Sequence, residues 1–193
     1  MVMIIDNAVQ RGIANAAAVH FPQPDWEGWH KYDDPNARKY GQAEGVKVGP
    51  LYQNLMWQMV TRVGDMVGPN CFPDFTLYGA GFHRMERGGY LKPHLDSAMH
   101  KVTGWKREWS ATLFLSPEWQ DAMGGHLLLD KPNTTEIISP LFNRLVLFRC
   151  TESAKHEVTE ILGDVPRLSF ALFYFSLDEP NDPTRTQARF FDD

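Results

Sequence analysis

Between Phe75 and Ser176 the chain alternates short β-prone runs with turn-forming pairs, and this rhythm restricts the fold more than any other feature. The runs cover 75–87, 90–96, 108–116, 125–130, 135–139, 144–150, 155–161 and 167–176. Gly88-Gly89, Ser116-Pro117, Gly124-Gly125, Lys131-Pro132-Asn133 and Gly163-Asp164 separate them, residues that end strands by positive φ or a missing amide. Eight such strands preceded by helices predict a mainly β fold with some α. The expected core is an eight-stranded double-stranded β-helix (jelly roll), with the N-terminal helices packed on one sheet.

Ahead of the core, Asp6 is placed to cap a helix through Val9, Ile13, Ala16 and Ala17, which recur at roughly helical spacing. A second helix is predicted after Pro50, with Leu51, Leu55, Met59, Val63 and Met66 on one face and Gly68-Pro69 as its stop. Residues 22–50 break every periodicity with four prolines, four glycines and many charges, yet carry Trp26, Trp29, Tyr32 and Tyr40. Such a stretch either packs on the domain or forms a binding lid. The chain is divided into N-terminal helices and loop (1–70), core (75–176) and a weakly held tail (177–193), all within one domain of 193 residues.

With 43% hydrophobic residues the chain has ample apolar surface for one core. A formal charge of −5 argues against a nucleic-acid partner, leaving only a local basic patch at Lys101, Lys106 and Arg107. Cys71 and Cys150 make no disulfide framework and fit a reducing, cytoplasmic setting. The opening residues lack the basic region of a signal peptide, and no apolar run reaches the ~18 residues of a membrane span.

Chemistry concentrates in three places: His94-Leu95-Asp96, His156 sixty-two residues later, and Arg167 with Ser169 beyond it. His94 and Asp96, two apart in a strand, point to the same face, where they could share one ion. Two histidines and a carboxylate on one face of a six-coordinate metal leave the opposite positions open, the pattern of a non-haem Fe(II) oxygenase. His83 and Glu86 do not share a strand face, and His20, His30, His100 and His126 read as surface or hydrogen-bonded groups. Arg167 opens a very apolar strand, where a buried guanidinium needs an anion. Glu157 or Glu160 could serve, and so could the distal carboxylate of a bound dicarboxylic acid, to which Ser169 would add a hydrogen bond.

Several ordered segments resemble the prolyl-hydroxylase-like branch of the 2-oxoglutarate and Fe(II)-dependent oxygenases. They are Gly89-Tyr90-Leu91-Lys92-Pro93-His94-Leu95-Asp96, Gly124-Gly125-His126-Leu127, Asn143-Arg144-Leu145-Val146-Leu147-Phe148, His156-Glu157-Val158 and Arg167-Leu168-Ser169. The resemblance implies iron held by His94, Asp96 and His156, and the 2-oxoglutarate C5 carboxylate held by Arg167. It also implies O2 as co-oxidant, with ascorbate as an auxiliary reductant. Where relatives carry a tyrosine three residues before the first ligand, this chain has Leu91. A third-strand tyrosine of some relatives falls near Leu113 or Phe114. Tyr78 and Tyr90 are the remaining candidates for cosubstrate contacts. A carboxylate at position 96 favours hydroxylation over halogenation.

The reaction implied is hydroxylation of an unactivated C–H bond, on a prolyl residue of a peptide or protein or on a free amino acid or small metabolite. Trp26, Trp29, Trp105 and Trp109 could form a substrate cleft or pack internally. Alkylated-base demethylases carry a second arginine six residues after the first on the last strand, where this chain has Phe173. A cupin-like metal-binding jelly roll would explain the strands and histidines but not Arg167 with Ser169.

Overall fold

The computed structural model describes residues 1–191. In chain order the elements are β1 (Val2–Ile5), α1 (Arg11–Val19), β2 (Trp29–Asp33), β3 (Ala37–Gln42), α2 (Pro50–Val67), β4 (Phe72–Pro73), β5 (Gly81–Met85), β6 (Tyr90–Leu95), β7 (Lys106–Phe114), β8 (Leu127–Lys131), β9 (Thr134–Ile138), β10 (Leu145–Arg149), β11 (His156–Val158), β12 (Arg167–Ser176) and β13 (Arg189–Phe190). Strands β5 to β12 are the eight of the predicted jelly roll, trimmed at their ends. All their pairings are antiparallel, and the sheet curls through the order β1-β10-β7-β12-β5-β3-β6-β11-β8-β9.

Two-residue alternation divides the side chains of the central strands. Ala111 and Leu113 of β7, Leu145 and Leu147 of β10, and Leu168, Phe170 and Leu172 of β12 face the helices and form one cluster with Leu55, Met59 and Val63 of α2. Phe114, Val146 and Phe148 face the other way and meet Leu127, Leu129 and Ile138 inside the curl. Every residue of β12 is buried. Arg167 and Ser169, out of phase with Leu168 and Phe170, therefore turn into the interior.

The N-terminal part differs from expectation at several points. Helix α1 starts five residues after Asp6, with Gln10 at its N-cap and no side-chain cap. Asp6 instead pairs with Arg144 at 2.6 Å, a bidentate ion pair that outweighs a capping bond. In α2 the buried face is Tyr52, Leu55, Met56, Met59, Val63 and Val67, while Met66 is exposed and Leu51 half-buried. Val2–Ile5 adds a strand to β10, its backbone amides completing that edge.

Residues 22–50 hold the largest departure. The hairpin β2–β3 enters the main sheet, with β3 bonded to β5 at Tyr40–Arg84 and Gly41–His83 and to β6 at Ala37–Leu91 and Arg38–Tyr90. Trp26 and Trp29 pack edge-on around Phe82, so these rings fill core rather than line a cleft. Trp105 packs on Phe72, and Trp109 is buried with its indole N–H on the Val67 carbonyl. The tail is also held, since β13 pairs with β6. No helix among the described residues is long and apolar enough to cross a membrane.

Asn143 fastens the loop before β10 to the segment before α1. Its side chain accepts from the Val9 amide at 3.1 Å and donates to the Val9 carbonyl at 2.9 Å, while its backbone sits at φ +60°. Asn143→Ala removes both bonds and leaves a Cβ residue without the local bonding that favours the left-handed region. The variant is expected to lose about 2–4 kcal/mol of stability in urea unfolding.

Candidate active site

Antiparallel pairing of β6 and β11 sets His94 directly opposite His156, with ring centroids 4.2 Å apart. Asp96 follows β6 by one residue and brings Oδ1 to 3.8 Å from each Nε2. One donor atom from each of the three side chains lies within 4.8 Å of the others. Each ring is fixed through its other nitrogen: His94 Nδ1 is 2.8 Å from the Lys92 carbonyl and His156 Nδ1 is 3.0 Å from the Ala154 carbonyl. A carbonyl accepts only, so each Nδ1 carries the proton and each Nε2 presents a lone pair.

Burial pushes the His94 pKa down to about 3, helped by His156 and Lys39 and opposed by Asp96 and the Lys92 carbonyl. Burial would raise the Asp96 carboxyl, but Arg107, both histidines and Lys39 outweigh it and hold the carboxyl at about 2. Near neutral pH the cluster thus contains a neutral His94 and an ionised Asp96. Arg107 lies 3.4 Å from Asp96 Oδ2 and stacks 3.8 Å over the Phe173 ring, leaving Oδ1 to face the imidazoles. This donor set, two imidazole lone pairs and one carboxylate oxygen with bonded supports behind them, fits a single Fe(II).

The triad lines a cavity whose other wall carries Arg167 and Ser169. Arg167 Nε donates to the Gly125 carbonyl at 2.9 Å, and its guanidinium sits 4.8 Å over the Phe114 ring. Gly125 adopts φ +64°, and a Cβ there would come to 2.6 Å from Ile161, 2.9 Å from Trp119 and 3.1 Å from Arg167 Cδ, so glycine suits both the backbone and the crowding at this position. Among the described residues no carboxylate lies within 4.0 Å of Arg167; Glu157 and Glu160 do not pair with it. Burial lowers its pKa to about 9.

The remaining sequence candidates lie elsewhere. Tyr90 turns outward and donates its hydroxyl to the Asp34 carbonyl, and Tyr78 stacks on His100, so neither tyrosine lines the cavity. On β7 it is Thr112, not Leu113, that faces the cavity, while Phe114 lies under Arg167. The proposed basic patch dissolves, because Lys106 pairs with Glu108 and Arg107 is buried on Asp96. His126 and His100 pair with Asp121 and Asp74 away from the triad, and His20 and His30 are exposed.

Sequence reasoning passed over two cavity residues, Lys39 and His83. Lys39 carries no motif and lies in the stretch that reads as irregular. His83 reads in sequence only as a possible partner of Glu86, which instead takes Arg84 at 2.6 Å. The alternation Gly81, His83, Met85 on β5, opposite Ala171, Ser169 and Arg167, was the available signal.

The tail braces the ligand strand. Arg185 Nε donates to the Asp96 carbonyl at 3.0 Å while its guanidinium pairs with Glu152 at 2.6 Å. Phe190 lies opposite His94 with its ring 5.3 Å away.

Residues 80–175 match the family model of the 2OG-Fe(II) oxygenase superfamily. No curated protein matches the chain by sequence. Among solved structures, the chain is similar to a prolyl-4-hydroxylase of Pseudomonas putida (19% identity, 91% of each chain covered, TM-score 0.64). It is similar also to a prolyl hydroxylase from Trichoplax adhaerens in complex with a hypoxia inducible factor peptide fragment (18% identity, 91% of this chain and 83% of that one, TM-score 0.69). A third is HygX from Streptomyces hygroscopicus with nickel, 2-oxoglutarate and hygromycin B bound (14% identity, 91% and 83%, TM-score 0.63). Residues 80–175, which carry the jelly roll and the donor set, match the 2-oxoglutarate/Fe(II)-dependent oxygenase superfamily, which uses Fe(II), 2-oxoglutarate and O2.

Burial first, then Lys39 and Arg167, depress the His83 pKa well below its ordinary 6.5, with Asp96 opposing. As pH falls below 6.5 the unfolded chain takes up a proton at His83 that the folded chain refuses, so stability falls with pH. In metal-free protein, His83→Phe is expected to flatten that part of the loss, measured as urea midpoints between pH 7 and pH 5 (chosen about the ordinary histidine value).

Proposed function

We propose that the chain is a dioxygenase hydroxylating an unactivated C–H bond, with a prolyl residue of a peptide or protein as its foremost substrate. The observation that carries the reading is the pairing, in one cavity, of three convergent metal donors with a buried arginine that meets no carboxylate among the described residues. When bound, iron with 2-oxoglutarate and O2 supplies the oxidising power, releasing succinate and CO2.

In this reading His94, Asp96 and His156 hold the iron on one face. Arg167 takes the C5 carboxylate of 2-oxoglutarate in charge-assisted bonds, and Ser169, two residues along the same strand face, donates a further one. Leu91, Leu127, Phe148, Val158 and Phe173 line the cavity between charged groups and limit the water around them. Arg107 keeps Asp96 ionised and oriented. A cupin-like metal site would leave Arg167 without a partner, which favours the oxygenase reading. The whole chain is read as one catalytic domain, and two free cysteines fit a reducing cytoplasm.

The prolyl assignment is supported by the similar folds of two prolyl hydroxylases, one with a peptide bound. A small-molecule substrate is the second reading, favoured by the comparable likeness to HygX with hygromycin B bound. Succinate release, measured with Fe(II) across prolyl peptides, free amino acids and small metabolites, separates the two, and mass spectrometry identifies the hydroxylated product. Stimulation by prolyl peptides alone is expected; stimulation by free small molecules alone would overturn the prolyl assignment. Asp96→Ala is expected to abolish turnover. Arg167→Met is expected to raise the KM for 2-oxoglutarate roughly 10- to 100-fold, the worth of hydrogen bonds to a charged group.

A further inference from the structure

The cavity holds a second cation. Lys39 lies on β3 in phase with Gly41, whose backbone approaches the His83 ring, so Lys39 faces the same side of the sheet as His83. Its ammonium reaches His83 Nδ1 at 3.4 Å, and the Tyr32 ring covers it from outside at 5.2 Å. Among the described residues no carboxylate lies within 4.0 Å of Lys39. Desolvation lowers its pKa to about 8, Asp96 opposing and Arg167 adding to the effect.

A lysine serving only to cover apolar surface runs its stem along that surface and leaves the ammonium in water. Here the ammonium turns inward instead. The adjacent strands β12, β5 and β3 contribute Arg167 and Ser169, His83, and Lys39 to the cavity that the triad also lines. His83, held neutral, accepts from Lys39 and so aims the ammonium without neutralising it. Asp96, the carboxylate of this cavity, is already matched by Arg107. Among the described residues these two cations thus meet no carboxylate, and together they match the charge of a dicarboxylate.

We propose that Lys39, aimed by His83, is a second cationic contact for the 2-oxoglutarate dianion, supplied by the N-terminal hairpin. The inference rests on the proposed function and assigns to Lys39 the cosubstrate role that neither Tyr78 nor Tyr90 can reach. Arg167 alone would hold one carboxylate; with Lys39 the cavity discriminates for a doubly charged 2-oxo acid.

The test uses the full chain loaded with Zn(II), which supports no turnover, and calorimetric titration with 2-oxoglutarate. Lys39→Met is expected to weaken binding roughly tenfold or more, the scale of one charge-assisted hydrogen bond, and Lys39→Arg to restore part of it. Zn(II) affinity should not weaken in Lys39→Met. The melting temperature of its ligand-free form should rise, because an uncompensated buried charge has gone; a lysine with a structural role predicts a fall. Lys39→Gln replaces Lys39→Met if the methionine disturbs the hairpin. Wild-type affinity in both neutral variants, alongside weakened binding in Arg167→Met, overturns the Lys39 assignment alone. Failure of the wild-type protein to bind 2-oxoglutarate overturns this assignment and the proposed function together.

Discussion

Three electron-pair donors converge on one point in the interior with no proton shared among them, and much of the architecture serves to hold them there. Two imidazole nitrogens and a carboxylate oxygen at these separations make no hydrogen bond to one another. Their positions come from elsewhere: the register of β6 on β11, the carbonyls behind each ring, Arg107 on Asp96, and the Arg185 bond to the Asp96 backbone. A cation at the centre converts this arrangement from tolerated to favourable. Supports of this kind make a metal site selective for geometry rather than merely for charge.

The second constraint comes from β12. A strand buried on both faces has no solvent side to which a guanidinium can turn, and alternation with Leu168 and Phe170 forces Arg167 inward. The inside of the curl is apolar around Phe114, Val146 and Phe148, so the charge sits beside a ring and a backbone carbonyl and waits for an anion. The hairpin β2–β3 adds Lys39 to the same wall. Metal donors and cations line one chamber, which suits a ligand that is both a chelator and an acid.

The core was legible because its information is local. Apolar alternation and Gly or Pro turns marked the eight strands, and His94, Asp96, His156 and Arg167 fell on them in order. What stayed hidden depends on distant partners. Residues 37–42, Ala-Arg-Lys-Tyr-Gly-Gln, are too polar to read as a strand, and they become one because β5 and β6 each leave an edge to fill. Lys39 was invisible for the same reason, since nothing in its neighbourhood says its ammonium turns inward. Asp6 looked like a cap until Arg144, far along the chain, claimed it. The tail seemed loose in sequence, yet a two-residue strand and Arg185 tie it to the ligand strand.

The account stands on a single iron held by His94, Asp96 and His156. Anaerobic calorimetric titration of the metal-free protein with Fe(II) tests this most directly. One equivalent bound per chain, with no comparable binding by a folded His156→Ala protein, is the result the account predicts. Equal iron affinity in that variant, or no stoichiometric binding by the wild-type chain, would contradict it.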